Sequence, residues 1–284
     1  MMRRATSQRT LSKLSGSLVL VGAGKMGSAM LDGWLARGLA PKRIIVIEPQ
    51  PPKAVKALAR RGLTLNPKPG PKAKAEAAAA IVIAIKPQTA PEAVPALGLH
   101  VGKSTLVLSI MAGRTIGFLE KALPGGTAIV RAMPNTPAAI GRGISVAVAN
   151  AKVSARQRKL ASDLLAAIGK VEWAGDEGLM DAVTALSGSG PAYVFLLAEA
   201  MTQAGVAAGL PADLAARLAR ETVAGSGELL HRSPLDAATL RQNVTSPGGT
   251  TAAALAVLMG PGGFDELLTR AIAAATRRSR ELAG

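Results

Sequence analysis

Cysteine is absent from this sequence, which excludes disulfides, thiolate nucleophiles and cysteine-ligated metals. Histidine is almost as scarce. His100 and His231 are the only two, too few for a histidine metal cluster, and neither sits in a recognisable catalytic context. No metal centre is therefore expected. Aromatic residues make up 2% of the chain and hydrophobic residues 49%, so the core must be built from Ala, Val, Leu and Ile. No apolar run is long enough to cross a bilayer. The 284 residues suffice for one large domain or two smaller ones with real cores.

Acidic residues are few as well, and the net charge is +16. Such a field attracts anions. The basic residues are dispersed, and there are few aromatics on which bases could stack. We therefore read the charge as a background for an anionic cofactor and substrate, with no nucleic-acid and no membrane partner. Residues 1–16 carry four basic and no acidic residues and lack the apolar core of a secretory signal. That composition suits an organelle transit peptide or a disordered bacterial extension. We favour a frayed, disordered end on a cytoplasmic protein.

Ser17 to Val21 is a short apolar run. Gly22-Ala23-Gly24-Lys25-Met26-Gly27 follows at once, and an amphipathic stretch continues to about Arg37. A lone G-x-G-x-x-G is weak, but here it has the strand and helix that its mechanism requires. Gly22 permits a tight turn, Gly24 lets backbone approach a pyrophosphate, and Gly27 lets helix and strand pack closely. The next apolar strand, Arg43 to Ile47, ends at Glu48, 21 positions after Gly27. An acid there can bond an adenosine ribose.

The strand–helix rhythm continues. Pro52 to Arg61 has helical spacing. Ala79 to Ile85 is fully apolar, as a parallel strand buried on both faces should be, and Thr105 to Ile110 and Thr127 to Arg131 read as further strands of the same kind. Their endings, Lys86-Pro87-Gln88, Met111-Ala112-Gly113 and Ala132-Met133-Pro134-Asn135, fall on the sheet edge where ligands of such folds bind. Ile144 to Ala149 and Lys170 to Trp173 extend the sheet, with a helix from Ser154 to Ile168 between them. Residues 17–174 are thus expected to form a dinucleotide-binding domain.

From residue 175 to 284 no further strand is convincing. Leu179–Leu186, Pro191–Gly209, Ala212–Leu230, Leu235–Arg241, Thr250–Met259 and Gly263–Leu282 all have helical spacing or composition. An alanine-rich domain of this size buries little by itself, so dimerisation through it is expected.

One stretch of this helical part stands out: Asn243-Val244-Thr245-Ser246-Pro247-Gly248-Gly249-Thr250-Thr251. Ser246 suits a helix N-cap and Pro247 the first helical position. Two glycines in a first turn cost roughly 1 kcal/mol each relative to alanine. In return the N–H groups of Gly248, Gly249 and Thr250 would be bare, and a helix start with free donors suits a small carboxylate. An ordinary capped helix with a flexible start fits the local chemistry equally well.

Together these motifs resemble the Δ1-pyrroline-5-carboxylate reductase family. The matching pieces are Gly22–Gly27, Ala84-Ile85-Lys86-Pro87, Arg131–Pro137, Ser187-Gly188-Ser189-Gly190-Pro191-Ala192-Tyr193 and Ser246–Thr251, in the family's order. The resemblance implies an N-terminal Rossmann-like domain followed by an all-helical C-terminal dimerisation domain. It implies NAD(P)H-dependent reduction of pyrroline-5-carboxylate to L-proline. Substrate would sit on Asn243, Ser246, Gly248, Gly249 and Thr250, with Thr251 near the ring nitrogen as the catalytic residue. Lys25 and Met26 would join the three glycines and Glu48 in holding the cofactor. Ala84, Lys86, Pro87, Ala112, Gly113, Met133 and Asn135 would line its nicotinamide half. Dimers of intertwined helical domains, which assemble further, commonly to decamers, are also implied.

Three positions depart from the family pattern: Lys25 for an asparagine, the proline-rich loop Asn66–Pro71, and Met111 for a small residue. Glu48 favours NADH, because it repels a 2′-phosphate, while Lys53, Arg60 and Arg61 nearby leave NADPH usable. Two other readings compete. The β-hydroxyacid dehydrogenases place a catalytic lysine on the helix that here reads Tyr193–Glu199, and none is present. A dinucleotide-binding redox sensor would leave the Ser246–Thr251 segment without a purpose.

Overall fold

The computed structural model describes residues 10–67 and 77–283. Residues 1–9 of the basic extension and 68–71 of the proline-rich loop lie outside them. The chain divides into two compact units, residues 1–188 with 276–284, and residues 189–275. By packing, residues 175–188 thus go with the sheet.

The first unit is built on one eight-stranded sheet. In chain order the strands are β1 (Leu18–Val21), β2 (Ile44–Ile47), β3 (Thr64–Leu65), β4 (Ala80–Ile83), β5 (Leu106–Ser109), β6 (Ala128–Met133), β7 (Gly143–Ala149) and β8 (Gly169–Trp173). Their order across the sheet is β3-β2-β1-β4-β5-β6-β7-β8. The chain winds outward from β1 in one direction and from β4 in the other, so strand order reverses between them. Every neighbouring pair is parallel except β6 and β7. The reason is length. A parallel crossover needs about a dozen residues or more. Between Met133 and Gly143 there is only a short 3-10 turn, Thr136–Ile140, closed by Gly141 in the left-handed region. β3, with two residues, is too short to leave a pattern in the sequence.

The strand alternation sorts the core into two faces. Leu18, Leu20, Ile44, Val46, Val82 and Leu108 point one way, packing with Met30, Leu31 and Trp34 of α1 (Lys25–Ala36) and with Leu164 and Leu165 of α5 (Ala155–Leu165). Val55 and Leu58 of α2 (Lys53–Ala59) join this cluster. Val19, Val21, Ile81, Ile83 and Val107 point the other way. They meet Val94 of α3 (Ala90–Ala96) and Leu119 of α4 (Ile116–Ala122). Trp34 is fully buried and donates its indole N–H to Leu164 O at 3.0 Å, fixing α1 against α5.

The amino-terminal extension departs from the expectation of disorder where it is described. Thr10–Lys13 is a 3-10 turn, and Leu11 is 1% exposed, in the same core cluster as Trp34 and Leu39. Arg43 donates to Leu14 O at 2.6 Å. A leucine spaced to reach an apolar seat orders the segment despite its polar composition. The expected helix Leu179–Leu186 is also different. α6 covers only Met180–Val183 and widens into a π-turn, Thr184–Gly188.

The second unit carries α7 (Gly190–Ala207), α8 (Ala212–Arg232), α9 (Ala237–Asn243), α10 (Thr250–Leu258) and most of α11 (Phe264–Ala283). α7 and α8 pack closely because small residues meet. A Cβ on Gly205 would lie 3.1 Å from the Ala215 methyl. Only Ala215 and Ala219 are buried in this unit, while Phe195, Leu196 and Val257 stand 68%, 62% and 77% exposed. Apolar side chains this numerous on the outside of helices mark an association surface. The last residues of α11 belong to the first unit, where Ser279 Oγ donates to Asp181 Oδ1 at 2.6 Å.

Candidate functional site

At the carboxyl end of β1 the three glycines do different jobs. Gly22 has φ 93°, and a Cβ there would lie 2.6 Å from Ala84 O. A Cβ on Gly27 would lie 2.2 Å from Gly22 O. Both positions are closed by backbone. Around Gly24 nothing lies within 4 Å, and it is exposed at the N-cap of α1. The first and third glycines therefore build the turn, and the second leaves room for a ligand. α1 has no acid in its first turn and begins at exposed Lys25, so its positive end is reinforced rather than neutralised. Such a start accommodates a pyrophosphate. Met26 packs against the core beneath it.

Glu48 sits one residue beyond β2. Its Oε2 accepts the Ala23 N–H at 2.8 Å and its Oε1 accepts the Gln50 N–H at 2.9 Å. Asn66, at φ 45°, completes this corner. Its side chain accepts from Glu48 N and donates to Glu48 O, both at 2.8 Å. Glu48 is thus held against the glycine turn, half-buried, with lone pairs remaining for a ribose hydroxyl.

The other strand ends gather on the same edge. Ala84 N donates to Val21 O at 2.7 Å, which brings Ala84 beside Gly22 and Gly27. Arg114 Nε donates to Pro87 O at 3.0 Å, tying the loop after β4 to that after β5. Lys86 and Ala112 are exposed there, and Gly113 takes φ 69°. Met111 turns into the core at 2% exposure, so its larger side chain is absorbed by packing. After β6, Asn135 Oδ1 accepts from Ile144 N at 3.0 Å and its Nδ2 lies 3.4 Å from Ser187 Oγ. Met133 closes on Gly188, where an added Cβ would meet the Met133 methyl at 2.5 Å.

Glu177 escapes the sequence reading, and Ser187 enters it only as part of a family motif, without a role. Glu177 Oε1 accepts from Arg131, 4% exposed on β6, at 2.7 Å and from Ile116 N at 2.9 Å. An arginine inside an apolar strand demands a carboxylate partner, and that was the available signal. Ser187, the partner of Asn135, lies on the π-turn, a form of helix that often occurs at functional sites.

The Ser246–Thr251 segment lies in the second unit and differs from the expected helix start. Ser246 is not the N-cap and Pro247 is not the first helical residue. α10 begins at Thr250 with Gly249 as its cap. The preceding four residues form a β-turn, with Gly249 N donating to Ser246 O at 3.1 Å and Gly248 at φ 69°. A proline followed by a left-handed glycine is the preference of a type II turn, and that turn chemistry overrides capping propensity. The Gly249 N–H is therefore used. The bare donors move along to Thr250, Thr251 and Ala252, the first three helix positions. The hydroxyls of Ser246, Thr250 and Thr251 have no partner among the described residues, and Thr251 is half-buried. Asn243 ends α9, exposed. At the other end of α9, the Thr239 N–H bonds the Asp236 carboxylate at 2.7 Å and holds its pKa below the ordinary value.

A doubly wound sheet with a glycine turn at β1 and an acid at the end of β2 defines a dinucleotide-binding protein of the Rossmann class. Comparison with known proteins agrees and narrows this. Residues 17–113 match the family model described as NADP oxidoreductase coenzyme F420-dependent, and residues 177–282 match pyrroline-5-carboxylate reductase dimerisation. Pyrroline-5-carboxylate reductase from Pseudomonas aeruginosa is 39% identical over 266 residues, covering 94% of this chain and 96% of that protein. The enzyme of the same name from Pisum sativum is 38% identical, covering 94% and 96%. Among solved structures, a pyrroline-5-carboxylate reductase from Coxiella burnetii superposes with a TM-score of 0.85 at 34% identity, covering 95% and 100% of the two chains. The Plasmodium falciparum pyrroline carboxylate reductase with NADP bound gives 0.78 at 30%, covering 95% and 99%. The chain belongs to the pyrroline-5-carboxylate reductase family.

Proposed function

We infer that this protein is an NAD(P)H-dependent oxidoreductase that reduces Δ1-pyrroline-5-carboxylate to L-proline, the last step of proline biosynthesis. Membership of the family over nearly the whole chain carries the reading. The first unit fits a dinucleotide on its own chemistry, with open space at Gly24, a cationic helix start at Lys25 and a positioned carboxylate at Glu48. A bound NAD(P)H supplies the hydride that reduces the C=N carbon.

The protein's own part is to bind, orient and exclude water. Gly22, Gly24, Lys25, Met26 and Gly27 hold the pyrophosphate half of the cofactor, and Glu48 holds its ribose. Ala84, Lys86, Pro87, Ala112, Gly113, Met133 and Asn135 line the nicotinamide half. Because Asn135 spends its side chain on Ile144 and Ser187, its contribution is to fix the loop's shape. The substrate carboxylate takes the bare N–H groups at the start of α10, with Ser246, Gly248, Gly249 and Thr250 forming its seat and Asn243 beside them. Thr251 hydrogen-bonds the ring nitrogen as positive charge leaves it. A protonated imine needs no further acid, which suits a chain with two histidines.

The charge of Glu48 favours NADH, with NADPH still accepted. The exposed apolar helices of residues 189–275 join two copies, and the dimers assemble further, up to decamers. We place the enzyme in the cytoplasm, where its reductant is available; no helix among the described residues is long and apolar enough to cross a membrane. Oxidation of NADH and NADPH, followed by absorbance with and without pyrroline-5-carboxylate, tests the assignment. Substrate-dependent oxidation that yields L-proline is expected; dinucleotide binding without turnover would leave a sensor instead.

A further inference from the structure

The glycine turn lies at the carboxyl ends of the strands. A separate recess of about 700 Å³ opens at their amino ends, reached by Ala79 before β4, Ser104 before β5 and Ser154 after β7. Its charge is one-sided. Lys103, Lys152, Arg156 and Lys159 line it, and Asp163 is the single acid among the lining residues. Asp163 is already spent on Lys159 at 2.7 Å. Lys103 and Lys152 have no side-chain partner among the described residues, and Arg156 has only a 3.4 Å contact with Ser15 Oγ.

This arrangement works against the fold. α5 has no acid in its first turn, and Arg156 is its second residue, so cations crowd the helix end that already repels them. Other basic residues of the helix have local uses. Arg158 lies 3.8 Å from the centre of the Trp173 ring, and Lys159 pairs with Asp163. The helix start itself is not short of acceptors, because Ser154 and Gln157 form a reciprocal capping box. Among the described residues, Lys103 and Lys152 thus have no partner for their side chains and Arg156 has only Ser15.

We propose that this recess binds a phosphorylated organic anion of the nucleoside polyphosphate class, separately from the dinucleotide. Three exposed cations gathered on one recess suit a ligand with several negative charges. The half-buried Leu14 and Leu160 add apolar surface that an inorganic ion would leave unused, and the volume exceeds what such an ion fills.

The test is calorimetric titration of the intact protein with ATP while NADPH is saturating, so that the glycine turn is occupied. Lys152→Glu is compared with Lys121→Glu, which makes the same charge change at an exposed site on α4 outside the recess. ATP should bind in the presence of NADPH. Lys152→Glu should weaken it about tenfold or more, and Lys121→Glu by less than about twofold because the distant charge is screened. Tripolyphosphate should bind more weakly than ATP. Displacement of ATP by NADPH would return the ligand to the glycine turn and overturn the proposal. Equal losses in the two variants would reduce it to the general field of a basic protein. Tripolyphosphate binding as tightly as ATP would overturn the organic ligand.

Discussion

The carboxylate of Glu48 accepts the backbone N–H of Ala23 at 2.8 Å, so the residue proposed to hold the ribose also braces the glycine turn. Charge and bracing can be separated by substitution. Glu48→Gln keeps a carbonyl acceptor for Ala23 and removes the charge. It should raise the NADPH-to-NADH ratio of kcat/KM about tenfold, equivalent to about 1.4 kcal/mol. Glu48→Ser should shift the ratio in the same direction while raising KM for both cofactors, because the brace is lost. An unchanged ratio in both variants would show that Glu48 does not read the ribose.

The glycines of the turn should respond to alanine in opposite ways. Gly27→Ala forces a Cβ to 2.2 Å from Gly22 O and should lower stability by about 2 kcal/mol or more. Gly24→Ala meets nothing within 4 Å and should leave Tm unchanged. Its methyl would occupy the space left for the pyrophosphate, so dinucleotide Kd should rise about tenfold or more. Thermal unfolding and fluorescence titration read the two effects; a Gly24→Ala protein with normal cofactor affinity would move the pyrophosphate elsewhere.

Thr251→Ala should lower kcat more than it raises KM for pyrroline-5-carboxylate. Its hydroxyl is the group proposed to act on the ring nitrogen, whereas its N–H at the helix start survives the substitution. A loss of about tenfold to a hundredfold in kcat is expected for a hydrogen bond that strengthens in the transition state. Thr251→Ser should recover most of it. Full kcat in the alanine variant would remove Thr251 from the mechanism.

Phe195 and Leu196 stand 68% and 62% exposed on α7. A charge at either position, as in Phe195→Glu, should dissociate the assembly, because a buried unpaired carboxylate costs several kcal/mol. Light scattering should find dimers or larger species for the parent protein at micromolar concentration and smaller ones for the variant. A fully active monomer of the parent protein would defeat the proposed role of these helices.

Leu11 is 1% exposed in the core beneath the 3-10 turn. Leu11→Ala should cost about 2–5 kcal/mol, the usual range for a large buried aliphatic side chain. Denaturant unfolding measures it. A loss below about 0.5 kcal/mol would mean that the turn does not contribute to the folded core.

Much of the fold was legible because its signals are local. Four-residue apolar strands such as Ile44–Ile47 and Ala80–Ile83 stand out between polar endings, and Gly22, Gly24 and Gly27 mark the strand–turn–helix junction by spacing alone. The order of these motifs along the chain points to the pyrroline-5-carboxylate reductase family from sequence alone. What stayed hidden depended on partners far away in the chain. The Arg131–Glu177 pair joins β6 to a turn 46 residues further on, and Leu11 finds its seat in the cluster that holds Trp34 and Leu39. At Ser246–Gly249 two local preferences conflicted, N-capping by serine against a turn at Pro247-Gly248, and the turn prevailed.

The sequence by itself determined which residues are apolar, where the chain can turn and which glycines stand near a helix start, because these follow from side-chain chemistry and backbone freedom along a few neighbouring residues. Only the tertiary structure decided that Gly24 is open while Gly22 and Gly27 are closed, that Glu48 is bonded to Ala23, and that Lys103 and Lys152 share one recess. Those facts depend on distances between segments separated by tens of residues, and such distances are set by how the strands order and the helices pack.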